Sequence, residues 1–177
     1  MRKVYVIPTY HCNLKCPHCE LHLKEDNFSE EFFKILDDIK SPDITLFGGE
    51  PTLYRERLKR CLETEKITSI STNLLILDEE LTSLYKYYGI SIATSWNPQR
   101  FNEEQYKLWV ENLRKLEENG LKCIILITLT EDLLSYENFN SLLREWDNIE
   151  SIEGILFEPL LAVSYTHLRA HETGRNL

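Results

Sequence analysis

No run of the sequence reaches the ~18 apolar residues that a membrane-spanning helix needs. The opening, MRKVYVIPTY, has too few apolar residues for a secretory signal and reads as a strand. With neither feature, the expected compartment is the cytoplasm and no membrane partner is expected. A basic excess is missing as well: 20 Lys and Arg stand against 29 Asp and Glu, a net charge of −9. That balance makes nucleic acid an unsuitable partner, although a local patch can still take a small anion. The five cysteines are an odd number, which does not suit a disulfide framework. In a reducing compartment, clustered cysteines more often bind metal.

What is present is enough apolar material for one domain with a core: 177 residues, 42% hydrophobic and 11% aromatic. The chain is organised around Thr9 to Cys19, TYHCNLKCPHC, where Cys12, Cys16 and Cys19 stand at C-x3-C-x2-C. Three thiolates suit a metal centre with one position left open, and open positions are where chemistry happens. Lys15 and Lys24 flank the triad; they either offset thiolate charge, lowering the thiol pKa values, or are simply solvated, as long surface lysines more often are.

The remainder alternates short apolar runs with helical periodicity. Strands are predicted at Val4–Ile7, Ile44–Phe47, Ile67–Ser71, Ile90–Thr94, Lys122–Leu129 and Ile155–Phe157. Helices are predicted from Ser29, as N-cap, to Lys40, then over Tyr54–Glu65, Asp78–Tyr88, Asn102–Asn119 and Asn138–Trp146. The first should turn Phe32, Ile35, Leu36 and Ile39 inward. Asn102 and Gln105 form a capping box, and Gly89 and Gly120 close the helices before them. Six strand–helix units without a linker imply a parallel α/β sheet with right-handed crossovers. A closed eight-fold barrel takes about 250 residues, so a partial (βα)6 TIM-like barrel is expected, with a doubly wound sheet as the alternative. Either architecture puts the site at the carboxyl ends of the strands. There the unusual residues lie: the cysteine loop, GGEP, STN, SWNP, TLTED and EPL.

Other readings of the cysteines compete. A zinc knuckle would use His11, His18 or His22 as fourth ligand, but no second C-x2-C pair follows. An electron-transfer cluster would want a fourth cysteine. Cys61 and Cys123 sit in apolar contexts and read as small core residues. Gly48-Gly49-Glu50-Pro51 follows a buried strand. Its two glycines let backbone approach a ligand closely, and Glu50 offers a carboxylate to a cationic amine.

The triad followed by GGEP one strand later resembles the radical S-adenosylmethionine (radical SAM) superfamily, over about residues 4–161. The resemblance implies a partial (βα)6 barrel in which Cys12, Cys16 and Cys19 hold three irons of a [4Fe-4S] cluster. The fourth iron would take the amine and carboxylate of S-adenosyl-L-methionine. One electron then splits the carbon–sulfur bond, giving methionine and a 5′-deoxyadenosyl radical that takes hydrogen from a substrate. An electron donor such as flavodoxin or ferredoxin is implied, and the substrate class stays open among peptide, protein and small molecule.

By the same resemblance the GGE strand end contacts the methionine amino group, through Gly49 and Glu50, with Gly48 and Pro51 as further cofactor-binding residues. His18, where the family often has an aromatic residue, lies near the adenine. Ser71, Asn73, Ser95 and Asn97 stand where ribose and carboxylate contacts occur, and Glu158 is a further strand-end carboxylate. The alternative is a non-catalytic iron–sulfur or zinc scaffold. Residues 162–177 break the pattern, and AVSYTHLRAHET resembles translated sequencing-adapter DNA. They are taken as a non-native tail after a core domain at 4–161, and His167 and His171 are discounted with them.

Overall fold

Strands and helices alternate as the periodicity predicts. The computed structural model describes residues 3–17, 19, 21, 24–26, 28–129, 133 and 139–159. The elements in order are β1 (Val4–Val6), α1 (Glu31–Asp38), β2 (Ile44–Leu46), α2 (Arg55–Leu62), β3 (Ile67–Thr72) and α3 (Glu79–Tyr88). They continue as β4 (Ser91–Trp96), α4 (Glu103–Glu118), β5 (Cys123–Leu129), α5 (Phe139–Trp146) and β6 (Ile152–Pro159). The proposed tail from 162 lies outside the described residues.

The six strands form one parallel sheet in the order β1-β2-β3-β4-β5-β6. A doubly wound sheet reverses its order partway; this one never does. Right-handed crossovers of constant sense put the helices on one face, which gives the partial (βα)6 TIM-like barrel.

Side-chain alternation separates the two faces. Thr94 Oγ1 accepts from Trp109 Nε1 of α4 at 3.0 Å, so Ile92, Thr94 and Trp96 face the helices. Trp96 meets Trp146 of α5 edge-on at 5.1 Å. Leu46, Ile70, Ile125 and Ile127 join the same core with Leu36, Leu58, Leu81 and Leu113. Cys61 and Cys123 are fully buried in it, and burial pushes each thiol up to about 12. They are core residues, as their apolar contexts indicated. The opposite face carries Thr45, Ser69, Ser71, Ala93 and Ser95 on β2–β4, and Ile124, Leu126 and Leu156 on β5–β6. It is open: Ile124 and Leu156 are 37% and 50% exposed.

Helix ends follow local chemistry. The Asn102–Gln105 capping box starts α4. Asp78 caps α3 by accepting from Leu81 N at 2.9 Å, and Gly89 ends it in the left-handed region at φ 63°. Four expectations need correcting. Ser29 is not the cap of α1; Glu30 holds that place, without a side-chain cap bond. Phe33 and Leu36 are the buried residues of α1 and Ile35 is exposed, because Phe33 turns in to an aromatic cluster with Phe28 and Phe32. A 3-10 turn at Pro51–Leu53 delays α2 to Arg55, and α2 ends at Leu62 rather than Glu65. β4 and β6 are longer than predicted, since pairing with β5 carries Trp96, Ile152 and Glu158 into the ladder.

Candidate active site

The two glycines of GGEP make room for the cysteine loop itself. The β1–β2 ladder runs on past both strands: Phe47 N donates to Val6 O at 3.0 Å, Gly49 N to Thr9 O at 2.9 Å and Glu50 N to His11 O at 2.7 Å. A Cβ on Gly49 would overlap the carbonyl of His11 and fall 2.7 Å from Tyr10 C. Gly48 has φ +127°, and a Cβ there would sit 2.6 Å from Ile7 Cγ2. Close backbone approach was the sequence expectation. The approaching backbone belongs to the loop that carries Cys12.

The loop is also held from outside. Arg57 of α2 donates to Pro8 O at 2.7 Å and to Asp26 Oδ2 at 3.0 Å. Asp26, its side chain 7% exposed, also accepts from Thr9 Oγ1 at 2.8 Å and Tyr10 N at 3.3 Å. Burial raises its pKa, but the Thr9 and Arg57 hydrogen bonds outweigh it, and the net shift is down from 3.8. The Arg57 guanidinium lies 3.5 Å from the centre of the Phe28 ring and 4.4 Å from that of Tyr54. Tyr54 OH in turn hydrogen-bonds His11 Nδ1.

Glu50 is fully buried, and its carboxylate joins β2 to β3. Oε1 accepts from Thr52 N at 3.1 Å, Thr52 Oγ1 at 2.7 Å and Thr72 Oγ1 at 2.8 Å. Oε2 accepts from Asn73 N at 2.6 Å. A buried carboxylate is tolerated when its lone pairs are met in this way. Asn73 then reaches the cysteine loop, with Nδ2 2.5 Å from Asn13 Oδ1 and 3.8 Å from Cys12 Sγ.

The thiols sit in a partly dry setting. Burial pushes Cys12 above the ordinary 9.0, partly offset by a hydrogen bond from Leu14 N at 3.4 Å. Burial likewise raises Cys16, against the pull of Arg100. The cation that acts on both thiols is therefore Arg100, beyond β4, and not Lys15 or Lys24. Lys24 instead lies 5.4 Å from the centre of the Tyr10 ring. The net shift is upward, opposite to the expectation, because desolvation outweighs one cation.

Hydrogen bonds thus join the cysteine loop, Gly49, Glu50 and Asn73. Pro51 is buried and starts the 3-10 turn. Ser71 and Ser95 lie on the open face, in register with Ala93 and Leu126. Asn97 is buried beyond the end of β4, where its carbonyl accepts from Arg100 N at 3.1 Å. Glu158 is exposed, opposite Thr128. His18, Thr130, Glu131, Asp132 and Leu160 lie outside the described residues. Asp26, Arg57 and Arg100 escaped the sequence reading, since none belongs to a motif; Thr72 stands inside the STN strand end, without a role assigned to it.

The donor set fits a thiolate-held cluster: three cysteines on one loop, N–H donors aimed at Cys12 Sγ and a guanidinium nearby. Among the described residues no three His, Cys, Asp or Glu side chains gather round a single ion. A cluster that takes one thiolate on each of three irons needs no such gathering.

Known proteins share the sequence profile and the fold. The Radical SAM superfamily profile matches residues 6–133. The chain belongs to the radical SAM superfamily. Its members use a [4Fe-4S] cluster and S-adenosylmethionine. Fe-coproporphyrin III synthase of Methanosarcina barkeri is 28% identical over 142 residues, 70% of this chain and 36% of that protein. Among solved structures, anSMEcpe with bound AdoMet has TM-score 0.72 at 17% identity, covering 90% of this chain and 52% of that one. SuiB of Streptococcus suis has TM-score 0.69 at 22% identity, covering 97% and 45%. These two likenesses show the radical SAM fold. The chain spans about a third of the curated relative and about half of each solved structure. Among the described residues no helix is long and apolar enough to cross a membrane.

Proposed function

We propose that the chain is the core of a radical SAM enzyme. In this reading Cys12, Cys16 and Cys19 hold a [4Fe-4S] cluster, and the ends of β2–β4 seat S-adenosylmethionine beside it. The chemistry supplied there is one-electron cleavage to methionine and a 5′-deoxyadenosyl radical, which takes a hydrogen atom from the substrate. The observation that carries the reading is the docking of the cysteine loop on GGEP, through Gly49 N to Thr9 O and Glu50 N to His11 O.

The chain's own residues position and shield. Gly48 and Gly49 keep the loop close to β2, and Pro51 starts the turn behind them. Glu50 fixes the β2 and β3 ends against each other. It offers an amine only what Oε2 has left beyond Asn73 N. As the family resemblance implies, Ser71, Ser95 and Asn97 would contact ribose and carboxylate, and His18 the adenine. Arg100 adds positive charge that acts on Cys12 and Cys16. The substrate enters over the open face, past Ile124 and Leu156, and a flavodoxin- or ferredoxin-type donor supplies the electron from the loop side.

Anaerobic reconstitution tests the base of this reading. About four irons and four sulfides per chain are expected, falling sharply in Cys12→Ala. Stoichiometric zinc with no cluster contradicts it.

A further inference from the structure

Asn73 does more than the sequence asked of it. Its side-chain amide has one acceptor and two donors to place. Oδ1 accepts from Leu75 N at 3.0 Å, a turn that fixes which way the amide faces. Both Nδ2 protons must then point at the cysteine loop, where Asn13 Oδ1 and Cys12 Sγ receive them. The backbone of the same residue is pinned by Glu50 Oε2 at 2.6 Å. Asn73 is 2% exposed, so water competes little for the donor. Glu50, Asn73 and Cys12 thus form a rigid line from the GGEP strand end to a thiol.

We propose that Asn73 is a positioning residue that sets the reduction potential of the cluster through its hydrogen bond to Cys12 Sγ. The proposal rests on the reading that the three cysteines hold that cluster. Reduction adds negative charge, part of which resides on the thiolate sulfurs. A fixed donor stabilises the reduced form more than the oxidised one and raises the potential. In a dry site such a bond counts for more than at the surface. Among the described residues the other donor to this sulfur, Leu14 N, is backbone and stays in every side-chain variant.

The test is an EPR-monitored redox titration of reconstituted wild type, Asn73→Asp and Asn73→Ala. Asn73→Asp keeps the Oδ1 acceptor for Leu75 N and removes the donor, and Asn73→Ala removes the donor without adding charge. At a fixed applied potential both variants should show a reduced-to-oxidised cluster ratio about tenfold lower than wild type, equivalent to 59 mV for a one-electron couple. Asn73→Asp, which also adds a negative charge, should lie at least as low as Asn73→Ala. Both variants loaded, with the wild-type potential, would overturn the proposal. Loss of the cluster from both while wild type loads would make Asn73 a loading residue and also overturn it. A wild type that takes no cluster is a separate failure, of the cysteine assignment beneath.

Discussion

Gly49 and His11 meet backbone to backbone. The N–H following Gly49 donates to His11 O at 2.7 Å, and the pro-Cβ direction of Gly49 points into that carbonyl. The glycine of the β2 end and the residue before the first cysteine are therefore one contact. Anything placed on Gly49 moves the cysteine loop.

Gly49→Ala should displace that loop. The backbone cannot yield as a flexible side chain can, so overpacking of about 1–3 kcal/mol is expected. Iron content after reconstitution should fall several-fold and the melting temperature should drop. An alanine variant that loads and melts like wild type would show that the loop does not depend on this contact.

The Asp26–Arg57 pair should brace the loop from the α2 side. Removing Arg57 takes the counter-charge from Asp26 and the donor from Pro8 O, leaving Asp26 the Thr9 and Tyr10 hydrogen bonds, which costs about 1–3 kcal/mol. Arg57→Ala should therefore destabilise the chain in denaturant unfolding.

The same pair has a pH signature. The folded pKa of Asp26 is depressed below 3.8. Its contribution is present above the unfolded value and is lost as pH falls through the folded pKa. The stability gap between wild type and Asp26→Asn should be constant at neutral pH and close in acid, below roughly pH 4. A gap unchanged down to pH 2 would contradict the ionised pair.

Glu50→Ala separates two roles for the carboxylate. The structure gives it four internal donors, from Thr52, Thr72 and Asn73. Orphaning buried donors costs about 1–3 kcal/mol for each group left unsatisfied. We expect a lower melting temperature and lower cluster loading together with weaker S-adenosylmethionine binding. Weaker binding alone, with stability and loading unchanged, would put the side chain on the ligand amine instead.

The order of strands was legible because each apolar run is followed by helical periodicity, which makes consecutive strands parallel neighbours. The three cysteines and GGEP were legible as motifs. Asn73 was singled out, but its contact with Cys12 spans 61 residues, and no local pattern reports that. Arg57 and Asp26 are 31 residues apart and look like ordinary surface charges until α2 packs beside the loop. The Gly-Gly step announced a close approach without naming the approaching chain. In helix α1 it was Ile35 that was misplaced: Phe32, Leu36 and Ile39 pack on the core, but Phe33, 5.3 Å from the Phe28 ring, turns inward and Ile35 is exposed.

The most direct measurement is an anaerobic turnover assay. The reconstituted chain is given S-adenosylmethionine and a strong reductant, and 5′-deoxyadenosine is quantified beside a Cys16→Ala variant. The account predicts 5′-deoxyadenosine from the wild-type chain and none above background from the variant. Equal product from both, or none from a wild type that carries its full cluster and binds S-adenosylmethionine, would contradict it.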